Sequence, residues 1–341
     1  MNTRLSRALH ALAAIAAMAL LPLPFAHAAG TSSRAGAATP LDLQAYGGDS
    51  GAITILHGGA ASDPYFTLQA LLLAHDNGLD IQGPAVRFAD WLVPQQKPDG
   101  TFDRFCRDDG GGWKACKTAD ADDSLLAMWL RLLQAMPAHV KASPALRKSQ
   151  ATSRAALAHL YQPSRGIYMV SPVYLHGLFM DNLEVWSLRV REPLSAPGAE
   201  PSERLAQAIH DTFWDPVNRR FLVSTQMEQR AQPAAFYPDH VAQLFPLMVG
   251  FPLLPDSADA HYRDWMRRHR SEWLAQGQTD YPWGIIAVLA LRRNDPDTAR
   301  CWVRHSAPLR HSARWAVTDE VSFQILASKG VDAAPPAAAC R

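Results

Sequence analysis

Residues 118–133 have the sequence TADADDSLLAMWLRLL, in which three carboxylates directly precede an apolar run. The apolar residues keep the three-four spacing of a helix with one broad buried face. The helix is therefore expected to begin near Asp122, with its acids crowded into the first turn. Acids in that position often cap a helix or interact favourably with its dipole. A single helix of this kind is equally consistent with a structural role and a functional role for its acids.

The same arrangement recurs along the chain. Five further acid-headed segments lead into apolar runs, and they begin at Asp63, Asp181, Asp239, Asp280 and Thr318. More polar, basic helices are expected between them, beginning near Pro84, Pro144, Ser202, Ser257 and Pro296. Six inner apolar helices, each paired with an outer amphipathic helix, predict an all-α fold, an (α/α)6 toroid of helical hairpins. The inner helices of such a ring run parallel, so their acids would converge at one mouth.

A resemblance to a known group supports this expectation. The stretch Asp120-Ala121-Asp122 is similar to the Asp-x-Asp stretch that carries a catalytic aspartate in the cellulase-type toroids of bacterial polysaccharide secretion systems. From about Ala61 to about Gly330 the chain resembles the wider six-hairpin glycosidase group. It departs from the cellulase-type family at the first inner helix, where Ser62-Asp63-Pro64 stands in place of Ser-Glu-Gly. The resemblance implies a glycoside hydrolase of a bacterial polysaccharide, linked to its secretion.

A second resemblance competes with the first. Residues 120–123 match the Asp-x-Asp-Asp acid of class II terpene cyclases, and Gln95 to Phe102 resembles their Gln-Trp repeat, with Phe in place of Trp. Those enzymes share the toroid design, but they usually have a second helical domain, for which this chain has little room. This resemblance implies a deep, dry, aromatic pocket around Asp122.

Glycoside hydrolysis generally uses two carboxylates. We expect Asp120 or Asp122 to act as the base or to orient the water, and Glu184, Asp181 or Asp63 to be the proton donor, with a pKa raised by neighbouring like charges. The sequence does not assign these roles to individual acids. Aromatic and polar residues near the acid heads are expected to bind sugar rings and their hydroxyls. They are Tyr65, Phe66, Trp113, Tyr174, His176, Tyr237, Asp239, His240, Asp280 and Trp283.

Two further functions remain open at this point. A polysaccharide lyase on the same fold would favour Tyr and His, for which Tyr174, His176 and His240 are available. A non-catalytic saccharide-binding or exopolysaccharide assembly protein would use the same surface, because a fold does not determine its chemistry.

The N-terminal region predicts export. Residues 1–29 combine Arg4 and Arg7, an apolar stretch and a small-x-small site, which are the parts of a cleavable signal peptide. Residues 30–51 are rich in small residues and are expected to form a flexible lead-in. Residues 52–341 are then a single toroid domain with short β-hairpin elements at its mouth. We expect a periplasmic or secreted protein without stable membrane insertion after signal cleavage.

The four cysteines are expected to pair in an exported protein, and the sequence permits three connectivities. We favour Cys106 with Cys116 and Cys301 with Cys340. No metal or other cofactor is expected, because no Cys-x-x-Cys or His-x-x-x-His motif accompanies the cysteines. The net charge of +1 argues against nucleic-acid binding. The partner that the glycosidase resemblance implies is a polysaccharide or oligosaccharide. Residues 98–117 are expected to form a long irregular loop of functional importance.

Overall fold

The computed structural model describes residues 38–47, 50–119, 121–192, 201–333, 335 and 340. They belong to one compact unit, residues 38–341. The signal peptide expected at residues 1–29 lies outside the described residues, and so does Asp120. Within the described part of the chain the fold is mostly helical, with fourteen α-helices and small antiparallel sheets.

The elements have the following bounds. The helices are α1 Gln44–Gly47, α2 Pro64–Asp76, α3 Gln82–Leu92, α4 Asp122–Ala135, α5 Ala138–Lys141, α6 Pro144–His159, α7 Phe179–Arg189, α8 Ser202–Phe213, α9 Met227–Arg230, α10 Val241–Val249, α11 Ala258–Ala275, α12 Gly284–Arg292, α13 Pro296–Ser306 and α14 Val317–Ser328. The strands are β1 Ala61–Ser62, β2 Asp103–Arg107, β3 Trp113–Thr118, β4 Tyr161–Gln162, β5 Ile167–Tyr168, β6 Trp214–Asp215 and β7 Arg220–Phe221.

The acid-headed apolar segments form the six helices α2, α4, α7, α10, α12 and α14. Each of them contacts the next, and α14 contacts α2, so the series of contacts returns to its start. Each also contacts a more polar helix that follows it in the chain, except α14. Each of the six helices has fully buried apolar side chains, such as Leu68, Leu126, Leu188, Leu244, Ile286 and Val321. Burial of these faces is the main source of stability in such an arrangement.

Side chains at the beginnings of these helices contact one another. Two hydrogen bonds join α2 to α7 and α12 to α14. Two ring contacts join α2 and the segment before α10 to the residues just before α12. The four contacts are Tyr65 Oη to Glu184 Oε1 (3.1 Å), Gly284 N to Asp319 Oδ1 (2.7 Å), and the ring contacts Phe66–Tyr281 (6.1 Å) and Tyr237–Trp283 (5.2 Å). These contacts connect the N-terminal parts of α2, α7 and α14 with the segments at the starts of α10 and α12.

Residues 38–47 are packed, although the sequence predicted a flexible lead-in here. Leu41, Leu43 and Tyr46 are buried, and the amide of Leu41 donates to the carbonyl of Asp80 (2.9 Å). The three apolar side chains stand among small residues, so composition alone concealed their contribution to the core.

The segment 98–117 is not the irregular loop that the sequence predicted. Strands β2 and β3 pair antiparallel, and β1 extends the sheet on the other side of β2. The disulfide Cys106–Cys116 joins the two strands, and Asp108 accepts hydrogen bonds from the amides of Gly110 and Gly112 in the turn. Phe105 alone is buried in these strands, so the apolar alternation that signals a strand is absent. Two shorter hairpins, β4–β5 and β6–β7, are also present, in agreement with the expectation of short β-hairpin elements.

The second disulfide joins Cys301 on α13 to Cys340, with the Cα atoms 5.4 Å apart. Both pairings favoured from the sequence are thus present. Disulfides are typical of exported proteins, and these two fit such a location. None of the described helices combines the length and the apolar character that a membrane span requires.

Gly284 permits the close approach of α12 to its neighbours. A Cβ atom at this position would lie 2.7 Å from Ser322 Cβ and 2.7 Å from Trp302 Cζ2. We expect Gly284→Ala to lower the free energy of unfolding by about 1–3 kcal/mol through overpacking. Gly83→Ala on α3 is the matched control, because its nearest contact would be Arg87 Nη1 at 3.4 Å. Urea denaturation measures both, and equal midpoints for the two variants would contradict this packing.

Candidate active site

Four carboxyl groups meet at the beginnings of α4 and α7, which pack against each other. Asp122 and Asp123 lie in the first turn of α4, and Asp181 and Glu184 lie near the start of α7. All four are buried, Asp123 completely. Neither helix has a side-chain cap, since the N-cap residues Ala121 and Leu178 provide none. Capping, the structural role considered for such acids, therefore does not account for this cluster.

Oδ2 of Asp181 is buried and has no hydrogen-bond partner among the described residues. An ionised carboxylate that is buried without a partner is costly, and such groups usually respond by retaining a proton. The cluster is therefore suited to hold protons or to bind a polar ligand.

The pKa values of the four acids are raised, chiefly by burial. Burial raises the pKa of Asp122 to about 6 and that of Asp181 to about 7. Burial and the charge of Asp181 raise the pKa of Glu184 to about 8. The pKa of Asp123 is raised well above its usual value by burial, with the charges of Asp181 and Glu184 adding to the effect. At neutral pH Glu184 thus retains its proton, whereas Asp122 is mostly ionised.

Tyr65 on α2 completes the cluster. Its hydroxyl donates to Glu184 Oε1 (3.1 Å) and accepts from Gln69 Nε2 (3.4 Å). Burial and the nearby charges of Glu184 and Asp181 raise the pKa of Tyr65 well above 10, so the hydroxyl keeps its proton. Tyr65 therefore orients the Glu184 carboxyl through Oε1, and the Ser124 side chain on α4 also forms a hydrogen bond with this carboxyl.

Two cavities reach this cluster. One, of about 400 Å³, is lined by Asp181 together with Tyr237 and Asp239. The other, of about 70 Å³, is lined by Glu184 and Arg131 among apolar side chains. Arg131 is paired with Asp76 (2.8 Å), and its charge lowers the pKa of Glu184, although less than burial raises it. Asp181 and Glu184 therefore each border a cavity in spite of their burial, whereas Asp122 and Asp123 line neither of these two.

Aromatic rings lie beside the acids at the same end of the helices. Tyr237, which is 54% exposed, stacks on Trp283 with ring centroids 5.2 Å apart. Phe66 contacts Tyr65 edge-on (5.7 Å) and also contacts Tyr281 (6.1 Å). Such faces suit the CH surface of a sugar ring.

Other expected site residues have different surroundings. Asp63 caps α2 by accepting from the amide of Tyr65 (2.9 Å), and it forms an ion pair with Arg104. Trp113 packs against Trp91, with the guanidinium of Arg107 above its ring.

The remaining polar candidates are spread around the cluster. Tyr174 is exposed, and His176 pairs with Gln226 (3.1 Å). Asp280 accepts from the indole of Trp283 (3.3 Å). His240 belongs to a separate group with His269 and Glu272. These residues do not contact the four carboxyl groups in the described structure.

Asp123 and Asp319 are two buried acids that were not among the site residues expected from the sequence. Asp319 on α14 is fully buried, burial raises its pKa to about 7, and its Oδ2 lacks a partner among the described residues. Helical periodicity could have indicated that they are buried. Asp123 shares a helix face with Leu126 and Leu130, and Asp319 shares a face with Leu326. Acids on an apolar helix face are expected to be buried.

The raised pKa values predict how stability depends on pH. The folded protein binds protons on Asp181 and Glu184 that the unfolded chain has already lost above pH 4.5. The free energy of unfolding should therefore fall as pH rises from about 4 to about 8, by at most about 1.4 kcal/mol per pH unit for each group. The double variant Asp181→Asn, Glu184→Gln should flatten this decline, whereas Glu203→Gln, at an exposed position on α8, should not.

Chemical denaturation at several pH values measures the decline. A wild-type protein whose stability is constant across this range would contradict the raised pKa values, and so would a double variant that declines as steeply as the wild type.

Comparison with known proteins does not assign a function to this site. Neither a family model nor a curated protein matches the chain. The function is therefore inferred from the carboxyl cluster and its surroundings.

Proposed function

We propose that the chain is an exported glycoside hydrolase that acts on a bacterial polysaccharide. The observation that carries the proposal is the group of buried, uncapped carboxyls with raised and unequal pKa values. In this proposal the fold is an (α/α)6 toroid whose inner ring consists of α2, α4, α7, α10, α12 and α14. The series of contacts that returns from α14 to α2 supports that arrangement.

Glu184 is the proton donor in this mechanism. Its pKa of about 8 keeps it protonated at neutral pH, and the Tyr65 hydroxyl holds one of its oxygens. Glu184 protonates the glycosidic oxygen as the bond to the sugar breaks, and it regains a proton after the product leaves. Asp63 is less suited to this role because the charge of Arg104 favours its ionised form.

Asp122 is the base. Its pKa of about 6 leaves it ionised at neutral pH, so it can accept a proton from the attacking water. Two carboxyls whose environments separate their pKa values are the usual pattern of an acid–base pair. Asp181 and Asp239, which line the larger cavity, would accept hydrogen bonds from sugar hydroxyls. The stacked rings of Tyr237 and Trp283 would support a sugar face.

The surroundings of Asp122 favour a hydrolase over a terpene cyclase. The charges that act on Asp122 are those of Lys97, Asp99 and Asp103, so its environment is charged, whereas a cyclase acid would need a dry aromatic pocket. The Gln-Trp-like segment has structural contacts. Gln96 donates to Gly100 O (2.8 Å) and Ser153 Oγ (2.9 Å), and Phe102 is buried against Trp129.

Single substitutions test the two roles. We expect Glu184→Gln and Asp122→Asn each to lower kcat by about 10²- to 10⁴-fold, because each removes one proton-transfer group. The assay measures reducing ends released from a panel of bacterial exopolysaccharides, with circular dichroism to check folding. Glu203→Gln is the control and should retain wild-type activity.

Three results would contradict the proposal. The first is wild-type turnover by both folded variants, and the second is binding of a polysaccharide by the wild-type protein without turnover. The third is cleavage that creates a new ultraviolet-absorbing double bond, which would indicate a lyase.

The activity should also have a bell-shaped dependence on pH. The plot of kcat/KM should rise as Asp122 loses its proton near pH 6, and it should fall as Glu184 loses its proton near pH 8. Tyr65→Phe removes the hydroxyl hydrogen bond that favours the charged form of Glu184, so it should move the alkaline limb to higher pH. An alkaline limb that Tyr65→Phe leaves unchanged would argue against Glu184 as the donor.

A further inference from the structure

A second group of potential ligands lies away from the carboxyl cluster. His240 directly precedes α10, and His269 and Glu272 lie on α11. Nδ1 of His240 is 2.9 Å from Oε2 of Glu272, and Nδ1 of His269 is 3.6 Å from the same oxygen. One ligand atom from each of the three residues can be chosen so that all lie within 4.8 Å of one another.

We propose that His240, His269 and Glu272 bind one divalent transition-metal ion, for which Zn²⁺ is the best match. Two imidazole nitrogens and one carboxylate oxygen are a common protein donor set for zinc. Zinc–ligand bonds of about 2.0–2.2 Å place tetrahedral ligands roughly 3.4 Å apart. The two distances from the histidine nitrogens to Glu272 Oε2, 2.9 Å and 3.6 Å, are close to this value. The imidazole donors disfavour Mg²⁺ and Ca²⁺, which prefer oxygen ligands.

The fold holds the ligands in place before an ion binds. His269 and Glu272 are three residues apart on one helix, so they share a face of α11. The indole of Trp265, also on α11, donates to the carbonyl of His240 (2.7 Å) and fixes the third ligand against this helix. The rings of His240 and His269 lie 4.0 Å apart. Glu272 is 42% exposed and is free to turn by the small amount that coordination requires.

An ion at this position would be accessible from solvent. His240 and His269 line a cavity of about 530 Å³. Three protein ligands leave at least one coordination position for water from that cavity. The site does not depend on the proposed glycosidase activity, because it contains none of the four carboxyls at the beginnings of α4 and α7. No contiguous metal motif exists in the sequence, since His240 and His269 come from separate elements.

The test is isothermal titration of the full-length, tag-free, EDTA-treated protein with ZnCl₂, repeated with MgCl₂. We expect one Zn²⁺ per chain and no comparable binding of Mg²⁺. His240→Ala and His269→Ala should each weaken Zn²⁺ binding by more than about 100-fold, because loss of an outer partner alone costs about 10- to 100-fold. His261→Ala is the matched control and should bind like the wild type. His261 lines the same cavity, but its Nε2 lies 2.7 Å from the carbonyl of Gln243.

Thermal unfolding without metal checks that the variants fold, and Glu272→Gln provides a second variant at an exposed position. The proposal is overturned if the wild type shows no saturable Zn²⁺ binding or if Mg²⁺ binds equally well. It is also overturned if the folded His240→Ala and His269→Ala variants bind as the wild type does. A rise in Tm with Zn²⁺ in the wild type, absent from these two variants, supports it.

Discussion

The packing of α4 against α7 is the constraint on which the rest of the structure depends. It buries Asp123 beside Asp181 and Glu184, whose charges raise its pKa, at two helix beginnings that have no side-chain cap. Removing an ionised group from water costs several kcal/mol, so these carboxyls cannot all be charged at once. The apolar faces that bury them, rather than any local bonding, hold the acids in a protonated state.

Acids at equivalent helix beginnings differ because their partners differ. Asp63 has an amide and a guanidinium, so its charge is compensated. Asp319 is fully buried and accepts from the amide of Gly284, which lowers its pKa less than burial raises it. Asp123 is fully buried and has the charges of Asp181 and Glu184 beside it, which raise its pKa further. The same sequence pattern therefore produces acids in different environments. Asp63 is a helix cap with a compensated charge, Asp123 is a buried acid beside other acids, and Asp319 is intermediate between the two.

The sequence predicted the elements that depend on local pattern. The acid-headed apolar runs, the polar helices between them and both disulfide pairings are present as expected. It could not distinguish the acids, because the difference between Asp63 and Asp123 depends on Arg104 and on α7, which are distant in the chain. The β2–β3 hairpin was missed because Phe105 is its only buried residue. The group of His240, His269 and Glu272 likewise exists only after α11 packs against the segment before α10.

The central claim is that Glu184 is a buried acid that remains protonated at neutral pH. The most direct measurement is a carboxyl ¹³C NMR titration of the wild-type protein, with Glu184→Gln to assign the resonance. The account predicts a glutamate carboxyl that titrates near pH 8 and is missing from the variant. A Glu184 resonance that titrates at the ordinary glutamate value of about 4.3 would contradict it.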